Sequence, residues 1–246
     1  IISQAGSVEI DQSSSLGRSK GMSGHLQREI DNLKKKLLAL GAFVEEDVQK
    51  AVTAISERNA SAAREVIESD PDIDKMEIDI EEDCLKVLAL HQPVAIDLRF
   101  IVAVLKINND LERIGDLAVN IAERAAFLAT QERVDIPFDF VGMASKAKTM
   151  LARSLDALIN GDTELAHSVC AADDEVDQIN REMYYQIQDG IRNNPEQMVC
   201  LLHLLSVSRH LERIADHATN IAEDVIYMIA GEIVRHRVEE FTQKRS

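Results

Sequence analysis

Four pairs of carboxylates recur in this sequence, and in each pair the two acidic residues stand four positions apart. Residues four apart share one face of an α-helix, where two like charges repel each other by about 0.2–0.5 kcal/mol. Burying an ionised carboxylate without a partner costs more still, so acids on an apolar helical face require a compensating cation. Oxygen donors suit hard metal ions. The eight candidate metal ligands are Asp70, Asp74, Glu112, Asp116, Asp173, Asp177, Glu212 and Asp216.

The acids lie among apolar residues rather than opposite them. On a helical wheel, Leu98, Ile101 and Leu105 fall within about 40° of Glu112, and Asp116 lies about 40° away. The residues that match these in the other Glu-x-x-x-Asp pair are also apolar. Such a face should pack against other helices, which distinguishes these pairs from ordinary surface carboxylates.

The two Glu-x-x-x-Asp pairs lie within a repeated segment. Residues 110–123 (DLERIGDLAVNIAE) recur as residues 210–223 (HLERIADHATNIAE), with ten of fourteen positions identical. The Asp-x-x-x-Asp pairs also repeat, at an offset of 103 instead of 100, so the first copy carries about three more residues between its two blocks. The chain is therefore predicted to contain two copies of one unit of roughly 100 residues.

Each copy is predicted to form three helices, because apolar residues recur at helical spacing between short connections. Short connections make successive helices antiparallel neighbours, so we expect an all-α fold of six long antiparallel helices. Pro71 should kink or break its helix, since proline lacks the backbone donor. The predicted helices span about 25–57, 61–90 and 94–129 in the first copy, and 140–159, 162–192 and 195–235 in the second.

The predicted domain boundaries follow from the repeat. Residues 1–24 are rich in Ser and Gly and lack periodicity, so we interpret them as a flexible leader or a remnant of cloning. The first three-helix repeat is expected over residues 25–129 and the second over residues 140–246. Residues 130–139 form the predicted linker between them.

The hairpin register predicts that the acidic pairs of one copy meet. Both arms of an antiparallel hairpin rise by about 1.5 Å per residue, so residues equally distant from the turn are level. Asp74 is then level with Glu112, and Asp70 with Asp116, about a midpoint at Pro93. The acidic pairs of the second copy are level with each other in the same way, about the turn predicted in that copy. Each hairpin should therefore bring four carboxylates to one level, with room for more than one metal ion.

A simpler interpretation is that these acids are surface carboxylates bridged by Arg99, Arg113 and Arg213. A single Glu-x-x-x-Asp motif would favour that interpretation, whereas four level, repeat-equivalent pairs favour a cation. Arg113 and Arg213 are expected to pair with the outer acids. Asn120 and Asn220 continue the acidic stripe by one turn, either as supporting groups or as polar rim.

Composition excludes several classes. Acidic residues outnumber basic ones by 43 to 27, for a net charge of −16, which disfavours binding to nucleic acid. Aromatic residues are only 4% of the chain, with 10 Gly and 4 Pro, which disfavours an all-β fold. Three dispersed cysteines indicate a reducing compartment. No apolar run is long enough to span a membrane and no signal sequence is evident, so we expect a cytoplasmic location.

Familiar catalytic motifs are missing from the sequence. It contains no P-loop, dinucleotide-binding or nucleophile-elbow pattern. A di-iron oxidase bundle needs two Glu-x-x-His motifs, and only Glu164–His167 fits. His217 follows Asp216, but its counterpart in the first copy is Leu117, so a ligand role for it would be confined to one site.

The repeated segments resemble the PhoU family of phosphate-transport regulatory proteins, as does QPVAIDLR at residues 92–99. The resemblance covers roughly residues 22–227. It implies two tandem three-helix bundles side by side, with multinuclear metal clusters held by paired E(D)xxxD motifs. The eight carboxylates named above match those motifs without departure. Residues 92–99 have no clear equivalent in the second copy, so any role of Asp97 and Arg99 should belong to one half.

The resemblance further implies a cytoplasmic, non-enzymatic protein with no catalytic residues and no organic cofactor. Such proteins are negative regulators of phosphate uptake and phosphate-starvation signalling. They couple a phosphate ABC transporter to a sensor histidine kinase and reach the membrane only through these partners. Iron is the expected metal, with zinc, manganese, magnesium or calcium as substitutes.

Two other functional classes stay open. The same carboxylates would serve a di-metal helical-bundle enzyme, either an oxidase or a hydrolase. Alternatively, the chain could be a structural helical adaptor without metal. A homodimer is compatible with a long acidic face, but the sequence does not decide the oligomeric state.

Overall fold

A computed structural model describes residues 20–134 and 139–231, and within these ranges the chain forms helices and no strand. This confirms the predicted all-α fold. A short 3₁₀ turn, Pro195–Gln197, precedes the last helix. The helices are α1 (Lys20–Glu57), α2 (Ala60–His91), α3 (Ile96–Ala129), α4 (Phe140–Asn160), α5 (Thr163–Asn193) and α6 (Met198–Ala230).

Two helix ends differ from the predicted ones by five residues, whereas every other end lies within three residues of its prediction. Helix α1 begins at Lys20, because once a helix is nucleated each added residue gains a hydrogen bond at little cost. Helix α6 ends at Ala230 and not near residue 235, because Gly231 adopts a left-handed φ of 73° and donates its N–H to the carbonyl of Tyr227. The rest of the predicted leader, part of the linker and the end of the second repeat (residues 1–19, 135–138 and 232–246) lie outside the described residues.

Pro71 does not break α2, contrary to the expectation. The helix runs through it from Ala60 to His91. Pro71 is exposed, so the carbonyl that loses its backbone donor can be hydrated. Val66 and Ile73, which are buried on either side, hold both halves of the helix against the same core.

The six helices form two three-helix bundles that pack side by side. Helices α1, α2 and α3 make the first bundle, and α4, α5 and α6 make the second. The α1 stripe that the periodicity predicted, from Leu33 through Leu37 and Leu40 to Val44, is buried. Helices α3 and α6 lie at the centre, where each packs on its own bundle and on the other helix.

Helices α3 and α6 run antiparallel across the junction of the bundles. Phe127 at the end of α3 stacks on His203 near the start of α6, with ring centroids 4.0 Å apart. Lys106 near the start of α3 approaches Asp224 near the end of α6, at 2.9 Å. No helix among residues 20–134 and 139–231 is both long and apolar enough to span a bilayer.

The turn between α2 and α3 differs from that between α5 and α6. Gln92 and Ala95 adopt positive φ angles of 45° and 50° around the buried Pro93. The second bundle instead uses the 3₁₀ turn. The turn of the first hairpin therefore has a backbone conformation that the second turn lacks. This difference accounts for QPVAIDLR having no equivalent in the second bundle.

Candidate functional site

The first carboxylate cluster, defined as Asp70, Asp74, Glu112 and Asp116, lies at the seam between α2 and α3. Gly115 lets the two helices approach closely there. A Cβ at Gly115 would lie 3.0 Å from Cδ1 of Ile73, so a methyl group would require a small shift of Ile73 and a larger side chain would press on α2. The short separation brings the acids of the two helices within electrostatic reach of each other.

Members of the first cluster repel one another across the seam as the register predicted. Burial raises the pKa of Asp70, and the charges of Asp74 and Asp116 raise it further. Burial also raises the pKa of Glu112, followed by the charges of Asp116 and Asp74. Asp74 is the most exposed member, whereas the Glu112 side chain is 25% exposed. These four acids therefore form one interacting group at the edge of the bundle.

The second carboxylate cluster, defined as Asp173, Asp177, Glu212 and Asp216, repeats this arrangement between α5 and α6. Burial, then the charges of Asp216 and Asp177, raises the pKa of Asp173 to about 6. Burial and the same two acids raise the pKa of Glu212 in turn, although Arg213 and Arg209 lower it in part. The structure thus places all four acids that the sequence assigned to this bundle within electrostatic reach of one another.

The nearby arginines do not pair as expected. Arg113 lies 3.5 Å from the carboxylates of Glu112 and Asp116 instead of bridging outer acids, because its side chain folds back along its own helix. Arg113 is 53% exposed, so this pairing compensates the cluster only weakly. Arg213 also acts on its own cluster, where it lowers the pKa of Glu212 and Asp216.

Arg99 lies away from both clusters. Its guanidinium packs against Gly231, where any Cβ would overlap it. The QPVAIDLR segment of the first bundle therefore contacts the end of α6 in the second. This contact places Arg99 at the junction of the bundles and not at a carboxylate seam.

The two asparagines that continue the acidic stripe are already engaged. Asn120 donates to the backbone carbonyl of Asp116 at 2.7 Å. Asn220 reaches Asp110 on α3 at 3.5 Å. His217 also contacts Asp110, at 2.8 Å between Nδ1 and Oδ1. Asn120 therefore bonds to the backbone of its own helix, whereas Asn220 and His217 contact Asp110 at the junction of the bundles.

Asp47 is a member of the site region that the sequence analysis missed. It lies on α1, is 2% exposed and accepts a hydrogen bond from the Ser69 hydroxyl at 2.8 Å. Burial raises its pKa, and its charge in turn raises the pKa of Asp70. An acid between the apolar Val44 and Val48 was the available signal. Its counterpart in the second copy is Met150, so the two sites differ beneath the shared carboxylates.

The donor chemistry of both clusters fits a hard cation, since each has four carboxylates whose pKa values arginines lower only in part. Within the described ranges, however, no three His, Cys, Asp or Glu side chains converge closely enough to hold a metal ion as placed. Side-chain rotation would be needed to bring the carboxylates of one cluster onto a shared ion. The assignment of the eight acids as ligands stays a prediction.

Comparison with known proteins gives a consistent result. The family model described as the PhoU domain matches residues 37–125 and 140–225, one match in each bundle. A phosphate-specific transport system accessory protein PhoU homolog from Aquifex aeolicus is 40% identical over 212 residues, which cover 86% of this chain and 96% of that protein. The homolog from Pseudomonas aeruginosa is 37% identical over 218 residues, covering 87% and 89% of the two chains.

Solved structures agree with this assignment. The crystal structure of PhoU from Pseudomonas aeruginosa superimposes with a TM-score of 0.81 at 36% identity, covering 84% of this chain and all of that one. The phosphate transport system regulatory protein PhoU from Streptococcus pneumoniae gives a TM-score of 0.78 at 30% identity, covering 85% and 99%. With its two matched domains and two repeated carboxylate seams, the chain belongs to the PhoU family.

Proposed function

We propose that this protein is a non-enzymatic accessory protein that regulates phosphate uptake and binds metal cations at its two carboxylate clusters. The observation that carries the regulatory role is the near full-length similarity to accessory proteins of phosphate-specific transport systems. Cation binding is supported by the repeat-equivalent acids, which meet at both seams and raise one another's pKa.

The more specific proposal is negative control of phosphate-starvation signalling. In this role the chain acts in the cytoplasm between a phosphate ABC transporter and a sensor histidine kinase, and it contacts the membrane only through them. The names of its relatives support the link to the transporter. The kinase is proposed from the family resemblance of the sequence.

The carboxylates of each cluster would hold iron in a multinuclear site, or zinc, manganese, magnesium or calcium. When bound, such an ion neutralises the negative charge at the seam. Asp70 and Asp74 would then be held close to Glu112 and Asp116, which would order the acidic face of the bundle. An ordered face is what a docking partner requires, since less conformational freedom is then lost on binding.

The first test is elemental analysis of protein purified without chelator. We expect the double variant Asp116→Asn with Asp216→Asn to lose most of its metal while keeping its helical circular dichroism, because each cluster loses one anionic oxygen donor. Asp156→Asn, at an exposed position on α4, removes the same charge elsewhere and should leave the metal content unchanged. Equal metal content in the double variant and the wild type would refute the ligand assignment.

The same proteins separate the competing functions. A di-metal oxidase or hydrolase would show redox or phosphatase turnover that disappears in the double variant. A structural adaptor without metal would contain none in the wild type. The regulatory proposal predicts no turnover, together with retention of the transporter ATPase and the sensor kinase in pull-down with the wild-type chain.

A further inference from the structure

The seam between α2 and α3 continues beyond the first carboxylate cluster, toward the turn that joins the two helices. Asn108 of α3 donates to the backbone carbonyl and to Oε1 of Glu77 of α2, both at 3.0 Å. This contact fixes the register of the hairpin, because both helices rise by about 1.5 Å per residue. Leu98, near the start of α3, is then about level with Leu88, near the end of α2.

This part of the seam presents large apolar side chains to solvent. They follow the acids of the first cluster at spacings of three or four residues, so they lie on the same faces of the two helices. We define the apolar groove by the five residues Leu85, Leu88, Leu98, Val102 and Leu105. Leu85 is 53% exposed and Leu98 is 41% exposed, whereas the other three are half-buried. An exposed apolar patch that is bordered by polar groups is typical of a protein interaction site.

The α2 border of the apolar groove is negatively charged. Glu77 is half-buried and Glu81 is exposed, and both continue the row of acids that includes Asp74. Burial raises the pKa of Glu77, and the charges of Glu81 and Asp74 raise it further. In the described part of the protein, the ion pairs of α2 involve other acids, Glu82 and Asp83. The apolar groove therefore lies beside two carboxylates that have no counter-charge.

The second bundle repeats the apolar side chains of this surface but not its charge. The α6 residues that match the α3 side of the groove are also apolar, namely Met198 (46% exposed), Leu202 (47% exposed) and the half-buried Leu205. Asn180 and Tyr184, however, occupy the repeat positions of Glu77 and Glu81, and Arg209 matches Asn109 of the first bundle. Only the first bundle thus combines an exposed apolar surface with an acidic border.

We propose that the apolar groove of the first bundle is a docking site for a basic amphipathic helix of a partner protein. Apolar residues at positions i, i+4 and i+7 of that helix would cover Leu85 and Leu98, and its lysines or arginines would meet Glu77 and Glu81. Charge complementarity selects this occupant. The stretch of α3 from Leu98 to Glu112 is about 21 Å long, which accommodates about four turns of a bound helix.

The same charges disfavour two other occupants. An anionic lipid surface would be repelled by the acidic border and by the net charge of −16. A second copy of the chain, docked groove to groove, would bring two acidic borders together. The docking site rests on the proposed regulatory function, for which it supplies the surface and the kind of partner.

The test measures the affinity of the full-length chain for a defined probe by fluorescence anisotropy. The probe is a fluorescein-labelled helical peptide with leucines at i, i+4 and i+7 and lysines on both flanks. We expect Leu85→Ser with Leu98→Ser to weaken binding by about tenfold or more, because the peptide loses apolar contact area. Both leucines are exposed, so the variant should keep its helicity. Met198→Ser with Leu202→Ser is the matched change in the second bundle and should leave the affinity unchanged.

A second pair of variants tests the acidic border. Glu81→Lys should weaken binding of the lysine peptide by about fivefold or more, because it places a like charge opposite the lysines. Asp79→Lys makes an equal change of charge at an exposed position on another face of α2 and should bind the peptide like the wild type. A peptide with glutamates in place of the lysines should bind the wild-type chain more weakly than the lysine peptide does.

Wild-type affinity in both Glu81→Lys and the double leucine variant would overturn the docking site. A dimer that dissociates in the leucine variant, seen by sedimentation, would overturn it in favour of a second copy. Binding to phosphatidylglycerol vesicles that the leucine variant loses would overturn it in favour of a membrane surface. The proposed function stands in each case if the wild-type chain retains the transporter ATPase and the sensor kinase in pull-down. A wild-type chain that retains neither would refute the proposed function instead.

Discussion

At the two seams, acidic side chains lie where burial and neighbouring negative charges disfavour their ionised form. Asp173 shows this most clearly, since burial and two neighbouring acids raise its pKa to about 6. A neutral group is favoured wherever the bundles exclude water without supplying a counter-charge. His210 follows the same rule with the opposite sign. Burial, followed by the charges of Arg124 and Arg213, lowers its pKa to about 4.

The histidine predicts a pH dependence of stability. A lowered folded-state pKa means that the unfolded chain takes up a proton first, so the contribution of His210 is present above about pH 6.5 and is lost as the pH falls toward 4. His210→Gln keeps a partner for Ser206. It should reduce the loss of unfolding free energy at acidic pH by about 1–3 kcal/mol. Urea unfolding at pH 7 and pH 4.5 measures it. Parallel pH profiles for variant and wild type would contradict the prediction, and His25→Gln at an exposed position is the control.

Pairs of helices set the width of each seam. In the first bundle Gly115 lies between Glu112 and Asp116 and faces Ile73 on α2. The repeat has Ala215 at the corresponding position, so the second seam accommodates a methyl group. The distance across the seam, and with it the spacing of the carboxylates, therefore depends on small residues that carry no charge.

Enlarging Gly115 tests this dependence. Gly115→Val should destabilise the chain by about 1–3 kcal/mol, because its branched side chain would press on Ile73 and separate the helices. The same variant should bind metal more weakly. Gly115→Ala is the matched control, since a single methyl group can be accommodated by a small shift of the flexible Ile73 side chain. Urea unfolding of the metal-free chains gives the comparison, and unchanged stability in the valine variant would show that the seam is not tightly packed.

The two bundles are joined into one body by a polar contact set between α3 and α6. Lys106 approaches Asp224, whose side chain is only 2% exposed, and its Nζ also lies 5.3 Å from the centre of the Tyr227 ring. His217 and Asp110 form the neighbouring contact. The equivalent positions of the repeat do not carry the same pairs of residues. We expect this contact set to help fix how one bundle packs on the other.

Removing the lysine should weaken this junction. Lys106→Met keeps the aliphatic stem but takes the positive charge away from the buried Asp224 carboxylate, at an expected cost of about 1–3 kcal/mol. Lys106→Arg retains the charge and is the control. Thermal unfolding by calorimetry, with the two bundles unfolding less cooperatively in the methionine variant, would support the assignment. A methionine variant as stable as the arginine variant would argue against it.

Much of the site could be predicted because it depends on helical geometry alone. The repeat, the six helices and the facing of Asp70 with Asp116 follow from 3.6 residues per turn and equal rise along both arms of a hairpin. Pro71 was misjudged because its effect depends on whether the freed carbonyl meets water. The partners of Arg113 were misjudged because long, flexible side chains choose among several nearby acids.

Local periodicity thus determined that this protein is a twice-repeated, all-helical chain with acids drawn together at two hairpins. Only the tertiary structure decided which buried polar atoms are satisfied and how the bundles are joined. Asp47, Asn108 and Lys106 lie at contacts between helices, and Lys106 reaches Asp224 across more than a hundred residues of sequence. Such contacts depend on the distance between packed helices in three dimensions, which the spacing of residues along the chain does not encode.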